Sequence, residues 1–249
     1  MSRTHCGDRV DTSDEPLVEN HWHEYWDRLE EHVFFRVEAE DYVARLAATL
    51  GPDLGARVLD FGCGFGFVAE LLARKVPALF VFDTSDHMRR QAQLRLAGYA
   101  NVRILLPPAV ASWPEELRLD LVLVNSVVQY MMRDEFHGWL GRWQAMLAPG
   151  GRLVLSDLLV RDVNPLREVA ELLVMSAHGG CLLSVVAKAL RELRHYTRTR
   201  DGQPLCRIAL GDLRERARRL GLALDVLPTN LTYRRGRATV VLSSAAPHR

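Results

Sequence analysis

Val58-Leu59-Asp60-Phe61-Gly62-Cys63-Gly64-Phe65-Gly66 is the stretch whose reading decides the fold. A short apolar run ends in an acid, and three glycines alternate behind it. GFVAELLARK follows with helical spacing. A buried strand that turns tightly into a helix has this form, and an open α/β sheet binds ligands outside the carboxyl ends of such strands. Glycines let the chain turn and let a ligand lie against the backbone without meeting a Cβ. The helix N-terminus behind the loop offers free N–H groups to an anion.

The glycine spacing narrows the ligand. A dinucleotide-binding turn requires GxGxxG. Here the glycines read GxGxG, and Phe67 stands where the third would fall. ALFVFD supplies a second strand that ends at Asp83, 17 residues after Gly66. An acid at that place can accept both ribose hydroxyls of a nucleoside.

Outward from this loop the same rhythm continues. SDHMRRQAQLRLAG reads as a helix capped by Ser85 or Asp86, NVRILL as a third strand and LDLVLVN as a fourth. DEFHGWLGRWQAMLA is the next helix. Pro149, Gly150 and Gly151 turn into a fifth strand, RLVLSDLLV. Short, wholly apolar strands alternating with helices predict a parallel sheet covered on both faces. GDLRERARRLG is a late helix, and LALDVLPT and ATVVLSSA are two final strands. Upstream, residues 17–51 space their apolar side chains as two successive helices do, ending at Gly51 and Pro52. Residues 1–15 read as a flexible tail. Residues 16–249 read as a single domain with a helical cap over 16–50 and a helical insertion, or lid, over 162–206 after strand five.

VLDFGCGFG, VFDTS, LDLVLVNSVVQYM and LAPGGRLVLSD, in this order, resemble the ordered motifs of the class I S-adenosylmethionine-dependent methyltransferases. The resemblance is close over about residues 56–160 and loose over the final helix and strands. NSVVQYM is similar to the corresponding segment of small-molecule methyltransferases and of the methylation domains of polyketide and peptide assembly lines. The resemblance implies a Rossmann-like, seven-stranded sheet with an antiparallel last strand. It also implies site residues. Asp60 and the backbones of Gly62, Cys63 and Gly64 would hold the amino-acid end of S-adenosylmethionine. Asp83 would take the ribose, Thr84 and Met88 would flank the adenine, and Asn125 with Ser126 would face the methionine part. The acid that many relatives place after strand three is replaced by LLPPAVASWPEE, so adenine recognition falls to backbone groups around Ala109 and Val110 or to stacking on Trp113.

Methyl transfer from a sulfonium demands alignment and exclusion of water more than acid–base chemistry. A base is needed only where the nucleophile arrives protonated. The candidates are His178 in SAHGG, Asp157 at the end of strand five, and His137. The acceptor pocket is expected from the cap and the insertion, with Tyr25, Trp26, Tyr130 and His178 facing the substrate. His21, His23 and Glu24 do not make a metal site, because i and i+2 do not share a helix face. No metal is expected.

Composition bounds the function further. With 32 basic and 31 acidic residues the net charge is +1, which gives no general pull toward nucleic acid. The ends differ: residues 1–50 carry net −7 and residues 161–249 net +8. The apolar stretch from Val169 to Leu190 is broken by Glu171, His178 and Lys188 and makes a poor membrane span. The N-terminal segment lacks the apolar core of a secretory signal. Cys6, Cys63, Cys181 and Cys206 form no CxxC pair, as expected of free thiols in a reducing cytoplasm. The reading is a cytoplasmic, metal-independent methyltransferase acting on a small-molecule metabolite. An RNA or other nucleic-acid methyltransferase and a non-catalytic cofactor-binding protein are the alternatives.

Overall fold

A computed structural model describes residues 22–107, 117–190 and 205–244. The cap is two helices, α1 (Trp22–Arg28) and α2 (Val33–Leu50). The alternating core follows: β1 (Arg57–Phe61), α3 (Phe67–Ala73), β2 (Ala78–Phe82), α4 (Asp86–Leu96), β3 (Val102–Ile104), β4 (Leu119–Asn125), α5 (Arg133–Met146) and β5 (Leu147–Leu158). Then come α6 (Pro165–His178), a helical stretch over 182–190, α7 (Leu210–Arg219), β6 (Leu222–Val226) and β7 (Ala238–Ser244). The strand order is β3-β2-β1-β4-β5-β7-β6. β7 alone runs antiparallel, to both β5 and β6. This is the seven-stranded sheet that the motifs implied.

The apolar strands alternate between two cores. Leu59, Phe61, Val122 and Val124 face Trp139 and Trp143 of α5, while Val58, Leu121 and Leu123 face Tyr42 and Leu46 of α2 and Leu72 of α3. Both faces of the sheet are buried, so the strands show no polar alternation. Ser85 is the cap of α4, its hydroxyl accepting from Met88 N at 3.1 Å. The same hydroxyl donates to Asp27 Oδ1 at 2.6 Å and ties α1 to α4.

Two expectations are corrected in detail. Pro149–Gly151 lies inside β5, which begins at Leu147. There the register jumps, with Leu119 opposite Leu147 and Leu121 opposite Arg152. Gly151 permits this because a Cβ would strike the carbonyl oxygens of Leu119 and Ala148. The described part of the insertion does not cover the carboxyl ends of the strands either. It packs behind α2, where Phe34, Cys181, Val185 and Tyr233 form a small core with Val37 and Leu172. The N-terminal tail lies outside the described residues. No described helix is long and apolar enough to cross a membrane.

Candidate cofactor and acceptor site

β1 and β4 are neighbours at the point where strand order reverses, and a cavity of about 370 Å³ opens beyond their carboxyl ends. Its floor is the loop Asp60–Gly64 with Asp83, Thr84 and Met88. Its far side is Asn125, Ser126 and Tyr130. The cap closes it with Tyr25, Trp26, Phe35 and Glu38. Twelve of the expected residues therefore meet in one place: Asp60, Gly62, Cys63, Gly64, Asp83, Thr84, Met88, Asn125, Ser126, Tyr25, Trp26 and Tyr130. Ala109, Val110 and Trp113 lie outside the described residues, as do the side chains of His21, His23 and Glu24.

The glycines of the loop do different work. A Cβ on Gly62 would collide with Val127, and one on Gly66 would crowd Ala92 of α4. Gly64 alone of the three has nothing within 4 Å of where its Cβ would stand, at φ 54°. The open space a ligand would fill lies there. Gly62 and Gly66 let protein approach protein.

Asp60 is 3% exposed, and its Oδ2 has no hydrogen-bond partner. Burial, with the charge of Asp83 adding, raises its pKa from 3.8 to about 7. Asn125 Oδ1 is a second buried, unpartnered oxygen in the same wall. An isolated buried acceptor costs about 1–3 kcal/mol. Two in one cavity mark a place for a ligand that brings donors. Asp83 is held differently. Its oxygens accept from Gly64 N at 2.9 Å and Ser85 N at 3.0 Å. Arg89 locks the turn behind it by donating to the carbonyl oxygens of Asp83 and Thr84. The Cys63 thiol is pushed well up by burial, which suits a backbone role for that residue.

Aromatic contacts fix the cap over the cavity. Trp26 meets Tyr25 and Tyr130 edge-on at 5.0 and 5.1 Å, and Phe35 stacks on Phe65 at 5.4 Å. Tyr42, one turn after Glu38, is fully buried, and its hydroxyl lies 3.2 Å from Ser156 Oγ, pinning α2 to β5.

The expected bases stand elsewhere. His178 ends α6, is exposed and does not line the cavity. His137 lies in a separate pocket with Arg133, Arg207 and Arg216, where burial and then Arg216 push its pKa down. Asp157 is fully buried beneath the site, not in its wall. It pairs with Arg234 at 3.1 Å and Arg237 at 3.0 Å and accepts from Thr232 and Ser126. Burial alone would raise its pKa, but those two guanidiniums and the two hydroxyls hold it below the ordinary carboxylate range. Ser126 and Asp157 both have positive φ, 59° and 67°, at the ends of adjacent strands. The arginine surplus of the C-terminal part is partly internal: Arg237 pairs inward with Glu168 as well as Asp157.

A family model described as a methyltransferase domain matches residues 29–226. The chain belongs to the methyltransferase-domain family. Its members use S-adenosylmethionine as methyl donor. Trans-aconitate 2-methyltransferase of Rhodopseudomonas palustris strain BisB18 is 34% identical over 149 residues, 55% of this chain and 56% of that protein. The chain spans about half the length of the curated relatives it matches. Among solved structures, the N-methyltransferase NodS from Bradyrhizobium japonicum WM9 in complex with S-adenosylhomocysteine matches with a TM-score of 0.56 at 16% identity. That match covers 92% of this chain and 98% of that one. Phosphoethanolamine N-methyltransferase 1 of Haemonchus contortus matches at 0.58 and 15% identity, over 92% and 48%. These likenesses are of fold.

The methyltransferase cavity fits the family's donor on its own terms. A cofactor ammonium would satisfy the orphaned Asp60 Oδ2, the face of Gly64 leaves room for its body, and Asp83 stands in the wall where a ribose would lie. Four polar lining residues escaped the sequence reading: Glu38, Gln129, Glu135 and Arg234. Glu38 sits in a helix that reads as an ordinary amphipathic cap, and Arg234 in a polar connection between strands. Neither carries a motif.

Proposed function

We propose that the protein transfers the methyl group of S-adenosylmethionine to a small-molecule acceptor, without a metal, in the cytoplasm. The observation that carries the reading is the buried Asp60 carboxylate, whose Oδ2 has no partner, beside the open face of Gly64. When bound, the cofactor supplies an electrophilic methyl on a positively charged sulfur. The residues of this chain hold and orient. Asp60 and the backbones of Gly62, Cys63 and Gly64 take the amino-acid end. Asp83 takes the ribose hydroxyls, Thr84 and Met88 bracket the base, and Asn125 with Ser126 receives the methionine part. Tyr25, Trp26 and Tyr130 exclude water from the acceptor side and present an apolar wall. Alignment of this kind can remove about 7–11 kcal/mol of barrier. In this reading neither Asp157 nor His178 is a base. The first is saturated by two arginines, and the second faces solvent.

Calorimetric titration with S-adenosylhomocysteine and with NAD tests the cofactor. One saturable site for the first and none for the second is expected. Uptake of NAD with no response to S-adenosylhomocysteine overturns the reading. Radiolabelled methyl from S-adenosylmethionine, followed into a panel of small acceptors, tests the transfer itself.

A further inference from the structure

The cavity has two ends that rest on different strands. Asp60 and Asp83 stand at the ends of β1 and β2, and each lies in the other's field. Burial pushes the Glu38 pKa up, and the charges that act on it most are Arg234, Asp157 and Arg237, with Asp60 not among them; Arg234 and Arg237 favour its ionised form. Asp157 lies at the end of β5, two strands from β1 through β4. At about 4.8 Å per strand that is roughly 10 Å away. Glu38 therefore stands over the end opposite the cofactor's amino acid and sugar, where an acceptor must sit.

The charges at that end are shared unevenly. Arg234 lies 3.1 Å from Asp157 and 3.5 Å from Glu38, the latter at the outer limit of a hydrogen bond. Asp157 thus holds the guanidinium more closely than Glu38 does. Among the described residues of the whole wall there are four acids, of which Asp60 and Asp83 stand at the ends of β1 and β2 and Glu38 beside the one lining guanidinium, Arg234; Glu135 is the fourth. Of the four, Glu135 Oε2 accepts from Met132 N and Asp83 from two backbone amides, which leaves Glu38 as the weakly engaged acid at the acceptor end. Tyr130 lies in the field of Arg234, and Trp26 meets Tyr130 edge-on at 5.1 Å.

We propose that Glu38 sets acceptor specificity and selects an amine on a flat apolar body, whose N–H donates to the Glu38 carboxylate while the body lies against Trp26 and Tyr130. An acceptor that presents a carboxylate here meets like charge and finds Arg234 already taken. This rests on the cofactor reading above, since it assigns the end that cofactor leaves free. It sets the chain apart from the trans-aconitate methyltransferases it resembles in sequence, because trans-aconitate is a tricarboxylate.

The test is calorimetry on the full chain saturated with S-adenosylhomocysteine, with phenethylamine, 3-phenylpropionate and trans-aconitate as probes. Phenethylamine is expected to bind at least tenfold more tightly than either acid. Glu38→Gln is expected to weaken phenethylamine at least tenfold and leave S-adenosylhomocysteine affinity within twofold. Either acid binding as tightly as the amine, no binding of the amine, or an unchanged amine affinity in Glu38→Gln would overturn the proposal. If the variant does not fold, the comparison of amine with acid in the unaltered protein decides. Failure of S-adenosylhomocysteine itself to bind would strike the cofactor reading instead.

Discussion

Replacing Asp60 with asparagine should stabilise the ligand-free protein and weaken its hold on the cofactor. Burial, then the charge of Asp83, lifts the Asp60 pKa from 3.8 to about 7 in the folded chain. The ionised form is therefore favoured by unfolding. Below about pH 4 the group is protonated in both states and costs nothing. As pH rises the unfolded chain releases its proton first, and stability falls until about pH 7, where the folded chain ionises too. At about 1.36 kcal/mol per pH unit the full cost is about 4 kcal/mol. Roughly 2.5 kcal/mol of it accrues between about pH 5 and pH 8. An asparagine does not titrate. Its unpaired amide costs about 1–3 kcal/mol at every pH, so a net gain of about 1–3 kcal/mol remains at pH 8. Urea unfolding of both proteins at several pH values measures the gap. S-adenosylhomocysteine, in contrast, loses a charge-assisted hydrogen bond worth about 1.5–3 kcal/mol, about 10- to 150-fold in affinity. A stability gap that stays flat between pH 5 and pH 8, or cofactor affinity untouched by the change, refutes the reasoning.

The two neighbouring glycines should separate cleanly. Gly62→Ala drives a Cβ into Val127 at positive φ and should cost about 2–4 kcal/mol of stability, read from the urea midpoint. Gly64→Ala meets only open space, so its stability loss should be near the ~1–2 kcal/mol of a left-handed residue, while S-adenosylhomocysteine affinity falls at least tenfold. Asp157→Asn removes the buried carboxylate that Arg234 and Arg237 share, leaving them only Glu38 and Glu168, and should destabilise by about 3–5 kcal/mol in the same assay. His178→Ala, at an exposed helix end, should leave stability within about 0.5 kcal/mol and methyl transfer within twofold.

Much of the cavity wall around Gly64 was legible because local chain geometry creates it. A strand-to-helix turn needs its acid and glycines at fixed spacings, so Asp60, Gly62, Gly64 and Asp83 announce themselves in order. The aromatics of α1 were legible for a weaker reason. Tyr25 and Trp26 could have packed in the core, and only the contact of Trp26 with Tyr130 places them over the cavity. The expected bases fall outside the cavity wall. His178 and Asp157 drew attention as polar residues in apolar surroundings, the signature of both a catalytic group and a satisfied structural one. Asp157 proved to be the latter, the centre of a network whose arginines lie 77 and 80 residues away.

Periodicity and turn signals determined the alternating strands and helices and the glycine loop after β1, because each depends on contacts between residues near in sequence or on repeats of a single local unit; the antiparallel last strand followed only from the resemblance of the ordered motifs, since β7 pairs with the distant β5. Where Glu38 and Arg234 stand in the cavity, and that the described part of the insertion lies behind α2, were decided only in three dimensions. Those features arise where α2, β5 and the β6–β7 connection converge, and the pairing of Glu38 with Arg234 spans 196 residues. Burial and competing charge, not residue type, set what such groups do, and neither is written into any one stretch of the chain.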